Sequence, residues 1–126
     1  MDEAIRRALA RNDVIDITTT GRKTGRPRRI EIVYHVIGGR IYISGMPRAD
    51  RKRSWLWNLE ANPEFTIHLK RGLTADLPAT ARVITDEAER RAVLEHVARS
   101  WNRDVEAMVA DSPLVEVTIP GLNPTH

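Results

Sequence analysis

Ile30-Glu31-Ile32-Val33-Tyr34-His35-Val36-Ile37-Gly38-Gly39-Arg40-Ile41-Tyr42-Ile43-Ser44 is the stretch on which the fold turns. β-Branched and aromatic residues dominate both arms, as a pleated surface favours. Gly38-Gly39 between them marks a two-residue hairpin, because both central positions of such a turn take positive φ. In the first arm Ile30, Ile32, Tyr34 and Val36 share one face, and Glu31, Val33, His35 and Ile37 share the other. Apolar residues on both faces predict a central strand, covered on both sides at its far end.

Working back toward the N-terminus, Val14 to Thr20 is rich in Val, Ile and Thr and reads as a strand. It runs into Thr18-Thr19-Thr20-Gly21-Arg22-Lys23-Thr24-Gly25-Arg26-Pro27-Arg28-Arg29, where two glycines punctuate five cations between Arg22 and Arg29. Glycine lets the backbone turn sharply and approach a ligand closely. Arginine brings a rigid fork of donors suited to phosphate or carboxylate, and lysine a mobile point charge. The turn is therefore either a solvated basic hairpin or a grip for an anion at the edge of a sheet. Pro27 is tolerable as a strand's first residue. Asp2 to Arg11 reads as a short helix with Ile5, Ala8 and Leu9 on its apolar side.

Working forward, Gly45 to Arg51 has loop chemistry, and Ser54 to Ala61 carries Trp55, Leu56 and Leu59 at helical spacing, with Ser54 as the expected N-cap. Asn62-Pro63 ends that helix. Glu64 to Arg71 alternates, with Phe65, Ile67 and Leu69 inward and Thr66, His68 and Lys70 outward. Thr74 to Thr85 is a strand in which Pro78 implies an edge or a bulge. Asp86 to Glu89 opens a helix whose apolar stripe is Val93, Leu94, Val97, Ala98 and Trp101; Asp104 to Ala110 adds a further helical turn or two. Leu114 to Ile119 closes the series as a strand. Hairpins without alternating βαβ units predict an α+β, mostly β fold: an antiparallel Greek-key barrel with helices at its rim and a groove at an open seam.

The chain has 126 residues, 41% of them hydrophobic and 29% charged, which fits one globular domain over 1–126. It has no cysteine, which excludes disulfides, thiolate metal sites and cysteine nucleophiles. No apolar run approaches the roughly 20 residues of a membrane-spanning helix. Met1-Asp2-Glu3 lacks the pattern of a signal peptide, so a cytoplasmic protein without stable membrane insertion is expected. The net charge is +3. Cations cluster at 22–29 and at Arg48, Arg51, Lys52 and Arg53, whereas acids concentrate between Asp86 and Glu116. The basic half is where an acidic partner belongs.

Side chains for conventional catalysis are scarce. His35, His68, His96 and His126 share no metal-ligand spacing, and the two strand histidines read as residues of a partly exposed face. There is no Gly-x-Ser-x-Gly elbow, no Gly-x-Gly-x-x-Gly and no Gly-x-x-x-x-Gly-Lys-[Ser/Thr]. No catalytic side chain and no metal are expected, so an enzyme of this sequence would rely on a cofactor. Trp55-Leu56-Trp57-Asn58-Leu59 is the second informative segment. One indole packs the core and the other is available to wall a flat ring.

Thr18 to Arg28, the Gly38-Gly39-Arg40 hairpin and Trp55-Leu56-Trp57-Asn58-Leu59-Glu60-Ala61-Asn62-Pro63 together resemble the deazaflavin-dependent nitroreductase family, within the flavin and deazaflavin oxidoreductases built on the split β-barrel. The resemblance covers roughly Val14 to Val83. It implies coenzyme F420, a deazaflavin with a phosphate and an oligoglutamate tail, and hydride transfer to an electron-poor small molecule such as a quinone, enone or nitro compound. By matching position Arg22, Lys23 and Arg28 grip the phosphate end. Ser44, Gly45, Met46 and Pro47 lie where the family sets its backbone against the ring, with Trp57 beside the cleft. Arg26 and the cations at 48–53 extend the basic surface toward the glutamates. A homodimer is a further expectation. Gly45-Met46-Pro47-Arg48 replaces a common Ser-Lys-Gly-Gly, and the C-terminal helical region offers Trp101, Asn102 and Met108 where the family has pocket tyrosines.

Other readings stand beside this one. FMN could replace F420, since the same cations suit its phosphate. The chain could also be a non-catalytic cofactor carrier or a small basic nucleic-acid binder. One phenylalanine and two tyrosines make a poor stacking platform, so nucleic acid is not the expected partner.

Overall fold

The computed structural model describes residues 3–11, 13–47 and 53–121. Of the cations clustered at 48–53, Arg53 alone falls within them, and His126 also lies outside. In chain order the elements are α1 (Glu3–Arg11), β1 (Val14–Thr20), β2 (Pro27–Ile37), β3 (Arg40–Ser44), α2 (Ser54–Ala61), β4 (Glu64–Leu69), β5 (Ala75–Val83), α3 (Glu87–Trp101), α4 (Val105–Asp111) and β6 (Leu114–Thr118). The strands close a six-stranded antiparallel barrel in the order β1-β2-β3-β6-β5-β4. Helices sit around it, so the expected fold class holds.

The β2–β3 hairpin forms as its glycines require, with φ of 59° at Gly38 and 78° at Gly39. Inside the barrel Ile15, Ile17, Ile43, Ile67, Val115 and Val117 are almost wholly buried. α1 adds Ile5, Ala8 and Leu9 to the same core, and the Tyr34 hydroxyl donates to the Leu9 carbonyl at 2.7 Å. Burial raises the Tyr34 hydroxyl to a pKa of about 12, with Asp13 adding to the effect. A second core lies outside the barrel wall, where α3 and α4, the latter through Met108, cover Tyr42, Ile84 and Leu114. α3 starts on the Asp86 carboxylate, which accepts from the Glu89 N–H, and stops at Asn102 in the left-handed region (φ 55°).

Several boundaries and environments differ from expectation. β2 begins at Pro27, so Arg28 and Arg29 belong to the strand rather than to the turn. Val36 is 47% exposed, so the far end of β2 is covered on one face and open at that residue. Ser54 is the first residue of α2; Arg53 takes the cap position without a side-chain bond to the helix's first amides. β4 ends at Leu69, and β5 runs only from Ala75 to Val83. Pro78 sits in the half of β5 that pairs with β4 alone, because β6 joins only from Thr80. That half is a local edge, and the register runs through it unbroken.

Strand pairing leaves a seam at β2 as well. β1 pairs with β2 from Pro27 to Val33, but β3 joins β2 only from Tyr34 to Ile37. At Ser44 β3 ends, and the chain leaves through Gly45, Met46 and Pro47. The first part of β2 therefore has a strand neighbour on one side only. α2 packs beside this seam.

Candidate functional site

The basic turn is built by its own backbone. Gly21 N–H donates to the Arg26 carbonyl at 2.8 Å and Gly25 N–H to the Gly21 carbonyl at 2.8 Å. Gly25 takes φ 72°, where a side chain would be strained. Gly21 is buried, and an added Cβ would lie 3.0 Å from Thr24 Oγ1 and 3.1 Å from the Arg26 carbonyl. Residues Arg22 to Arg29 are all exposed. Among the described residues no carboxylate pairs with Arg22, Lys23, Arg26 or Arg28. The next cation, Arg29, bonds Asp16 at 3.0 Å. The positive charge of the turn is thus left uncompensated.

Two cavities follow the seam. The smaller, about 200 Å³, is lined by Thr19, Arg28, Ile30, Ser54, Trp55 and Asn58. The larger, about 380 Å³, lies where β3 parts from β2 and is walled by Val14, Ile32, Val33, Ser44, Gly45, Met46, Trp55 and Trp101, with Glu31 and Arg53 as its charged members. Trp55 walls both, so the two adjoin along the seam as a groove in two parts, apolar at the loop end and with Arg28 as the cation lining the turn end. Both charged members of the larger cavity are engaged. Glu31 bonds Lys70 at 2.5 Å, and an Arg53 Nη donates to the Met46 carbonyl at 2.7 Å.

The expected residues divide as follows. Arg28 lines the cationic end, and Ser44, Gly45 and Met46 line the apolar end. The Ser44 hydroxyl donates to the Pro113 carbonyl at 2.8 Å, so its side chain holds the loop in place. Pro47 lines neither cavity. Trp55 is a core residue, 9% exposed, that also walls the groove, whereas Trp57 is 41% exposed and lines neither cavity. The Arg22 guanidinium carbon lies 4.9 Å from the centre of the Trp57 ring, a cation–π contact. Of the residues standing in for pocket tyrosines only Trp101 reaches the groove; Met108 is fully buried in the second core, and Asn102 terminates α3.

The sequence offers Asn58 only as part of the tryptophan helix motif and Arg53 only as one of the cations facing the glutamates; the structure gives each a backbone partner. The buried Asn58 carboxamide accepts from the Arg22 N–H at 3.0 Å and donates to Thr19 Oγ1 at 3.1 Å. Only the pairing of α2 with the turn reveals this, and no local pattern encodes it.

His68, expected on a partly exposed face, is 9% exposed. Its Nδ1 lies 2.7 Å from Asp76 and its Nε2 2.6 Å from the Thr18 hydroxyl. A carboxylate only accepts, so Nδ1 carries a proton, and a neutral ring then accepts from Thr18. This is the order of a hydrolytic triad. Yet Thr18 is laddered to Arg29 on one side and Thr66 on the other, which commits the neighbouring amides, and none of the three residues lines a cavity described here. The relay satisfies polar atoms across three strands. Among the described residues no group of histidines and acids is arranged to hold a metal ion, and no helix is long and apolar enough to cross a membrane.

A fold of this kind occurs in proteins of low sequence identity. A candidate 5-nitroimidazole antibiotic resistance protein from Bacteroides thetaiotaomicron superposes with a TM-score of 0.72 at 16% identity, over 95% of this chain and 80% of its own. An F420-H2 dependent reductase gives 0.61 at 22% identity, over 85% and 95%. A candidate pyridoxamine 5′-phosphate oxidase from Listeria innocua gives 0.66 at 13% identity, over 94% and 92%. These likenesses establish the split barrel. The model of the F420H(2)-dependent quinone reductase family matches residues 2–120, nearly the whole chain, in agreement with the resemblance carried by the basic turn and the tryptophan helix. The chain belongs to the F420H(2)-dependent quinone reductase family and is an oxidoreductase.

Proposed function

We propose that this protein binds F420 along the seam and uses the reduced form to deliver a hydride to an electron-poor small molecule. The observation that carries the reading is an uncompensated cationic turn beside an apolar slot, with Arg28 and the shared Trp55 wall linking the two along the seam. A planar ring with a polyanionic tail is the ligand chemistry that such a groove fits.

Reduced deazaflavin supplies the hydride, and the acceptor gains that electron pair and then a proton. The chain supplies position and environment. Arg22, Lys23 and Arg28, extended by Arg26, hold the phosphate and glutamates. Trp57 holds the Arg22 guanidinium over its ring and so acts through it. Ser44 to Pro47 present backbone to the ring, and Trp55, Ile32 and Trp101 exclude water from the slot. Dry surroundings strengthen the backbone dipoles that polarise a ring carbonyl. Because Glu31 and Arg53 are already bonded, protons come from solvent rather than from a side-chain acid in the slot. The acceptor is small and flat, a quinone, enone or nitro compound.

Parallel titrations with F420, FMN and single-stranded DNA test the proposal. Tight F420 binding that collapses in R22A/K23A/R28A supports it. Preference for FMN keeps the groove but changes the cofactor. Salt-sensitive DNA binding with F420 ignored ends the proposal. Mixing the protein with F420H2 and a panel of acceptors separates an enzyme from a carrier: oxidation above the protein-free rate marks turnover.

A further inference from the structure

α2 touches both ends of the groove. At its C-terminal half the Asn58 carboxamide bridges the Arg22 amide and the Thr19 hydroxyl. Asn58 is 5% exposed; its bond to Thr19 is buried and its bond to the Arg22 amide part-buried, so water competes with them less than at an open surface. At its N-terminal cap Arg53 donates to the Met46 carbonyl, and its guanidinium presses on Gly45, where an added Cβ would lie 3.1 Å from Cζ. Trp55 stands between these two grips as the shared wall of both cavities. One short helix therefore fixes the cationic turn and the ring-side loop to a common frame.

We infer that Asn58 is a positioning residue for the anionic tail: it acts through the Arg22 backbone to set the turn against the groove, while Arg53 does the same for the loop at the ring end. This role rests on the F420 reading above. It follows that the two ends of the ligand report separately on the two grips. Arg22 carries its guanidinium on the amide that Asn58 holds, so releasing that amide frees the turn to drift from Arg28. The ring slot, held by Arg53, Pro113 and Ser44, does not depend on the Asn58 bonds.

The test uses two probes: F420, and a deazaflavin carrying its sugar-alcohol chain but neither phosphate nor glutamates. Dissociation constants are read from ligand fluorescence on the full chain. In N58A, F420 should bind about tenfold or more weakly, the scale of one lost buried hydrogen bond, while the tail-less ligand stays within about twofold. T19V removes the acceptor of Asn58 Nδ2 while keeping Asn58 itself, and should show the same selectivity to a smaller degree. R53M should weaken both ligands alike, since both use the ring slot. Retained tail-less binding certifies that N58A and T19V are folded, and a wild-type circular dichroism spectrum and melting transition certify R53M. Equal losses on both ligands in N58A and T19V overturn the role of Asn58 and leave the cofactor reading standing. Wild-type protein that ignores both deazaflavins overturns the cofactor reading itself, and this role with it.

Discussion

The two helical covers of the barrel use arginine in opposite ways. Under α3 and α4, the Arg90 guanidinium donates to the carbonyls of Ile84, Met108, Val109 and Ser112 at 2.7–3.3 Å. Beside it, Arg40 and Arg82 both bond Glu116. Burial pushes the Glu116 carboxyl up, but the two guanidinium partners outweigh it and hold the group below the usual range. Next to α2, Arg22, Lys23, Arg26 and Arg28 meet no carboxylate among the described residues. A cation whose donors are all matched within the chain supports the fold. A cation left unmatched on an ordered turn is available to a ligand.

The largest way to break this contrast is R22A/K23A/R28A. F420 affinity should fall by about a thousandfold, because charge-assisted bonds are worth about 1.5–3 kcal/mol each and add imperfectly. Thermal stability should hardly move, since exposed substitutions stay within about 0.5 kcal/mol. Calorimetric melting beside a binding titration checks both halves. R90L should do the reverse. It strands several carbonyls at the end of α4 and should cost about 3 kcal/mol in urea denaturation, while surviving folded protein keeps wild-type F420 affinity. If R90L weakens cofactor binding as strongly as stability, the division between the two covers is wrong.

A smaller effect sharpens the seam side. In G45A the new methyl meets Arg53 and Pro113 at 3.1–3.3 Å, an overpacking worth about 1 kcal/mol. The Arg53 guanidinium would be displaced from Met46, so ring affinity should drop by a similar factor, measurable with a tail-less deazaflavin. The smallest effect is a pH dependence. Burial lowers the pKa of His35 below 6.5, with nearby Asp13 opposing in part, and its ring packs on Trp101 at 5.1 Å. A depressed histidine contributes stability that is complete above the unfolded value of 6.5 and is lost as pH falls from there toward the folded value. Thermal melting of H35F across that window should show a flatter profile than wild type. An identical slope would remove His35 as the source.

How far the sequence foretold this molecule depended on the range of the interaction. Gly38-Gly39 demanded its hairpin because two adjacent positions needed positive φ. Helical period turned Trp55 inward and Trp57 outward, but it did not tell that the inward indole, Trp55, is the one that walls both cavities. Arg22, Lys23 and Arg28 were legible as a cluster because they lie within seven residues of one another. The seam was expected only as a feature of the fold class. Its position depends on β3 ending at Ser44, a short strand held by β2 on one side and, on the other, by the distant Leu114 to Val117 of β6. The backbone bonds of Asn58 and Arg90 hide for the same reason, since no short pattern places their partners nearby, and Arg53 was legible as a cation of a cluster but not as a brace on the Met46 carbonyl. His68 was misjudged because alternation assigns a face but does not say whether neighbouring strands will shade it.

The half-paired stretch of β2 from Pro27 to Val33 has a consequence for the life of the protein in solution. A bare ladder edge is an invitation for another polypeptide to add itself as an extra strand, the first step toward aggregation. Here proline opens that edge, and like charges at Arg28 and Arg29 repel a second copy approaching in register. A molecule seated along the seam would block the same approach, so a reservoir of ligand would also act as a guard against clumping.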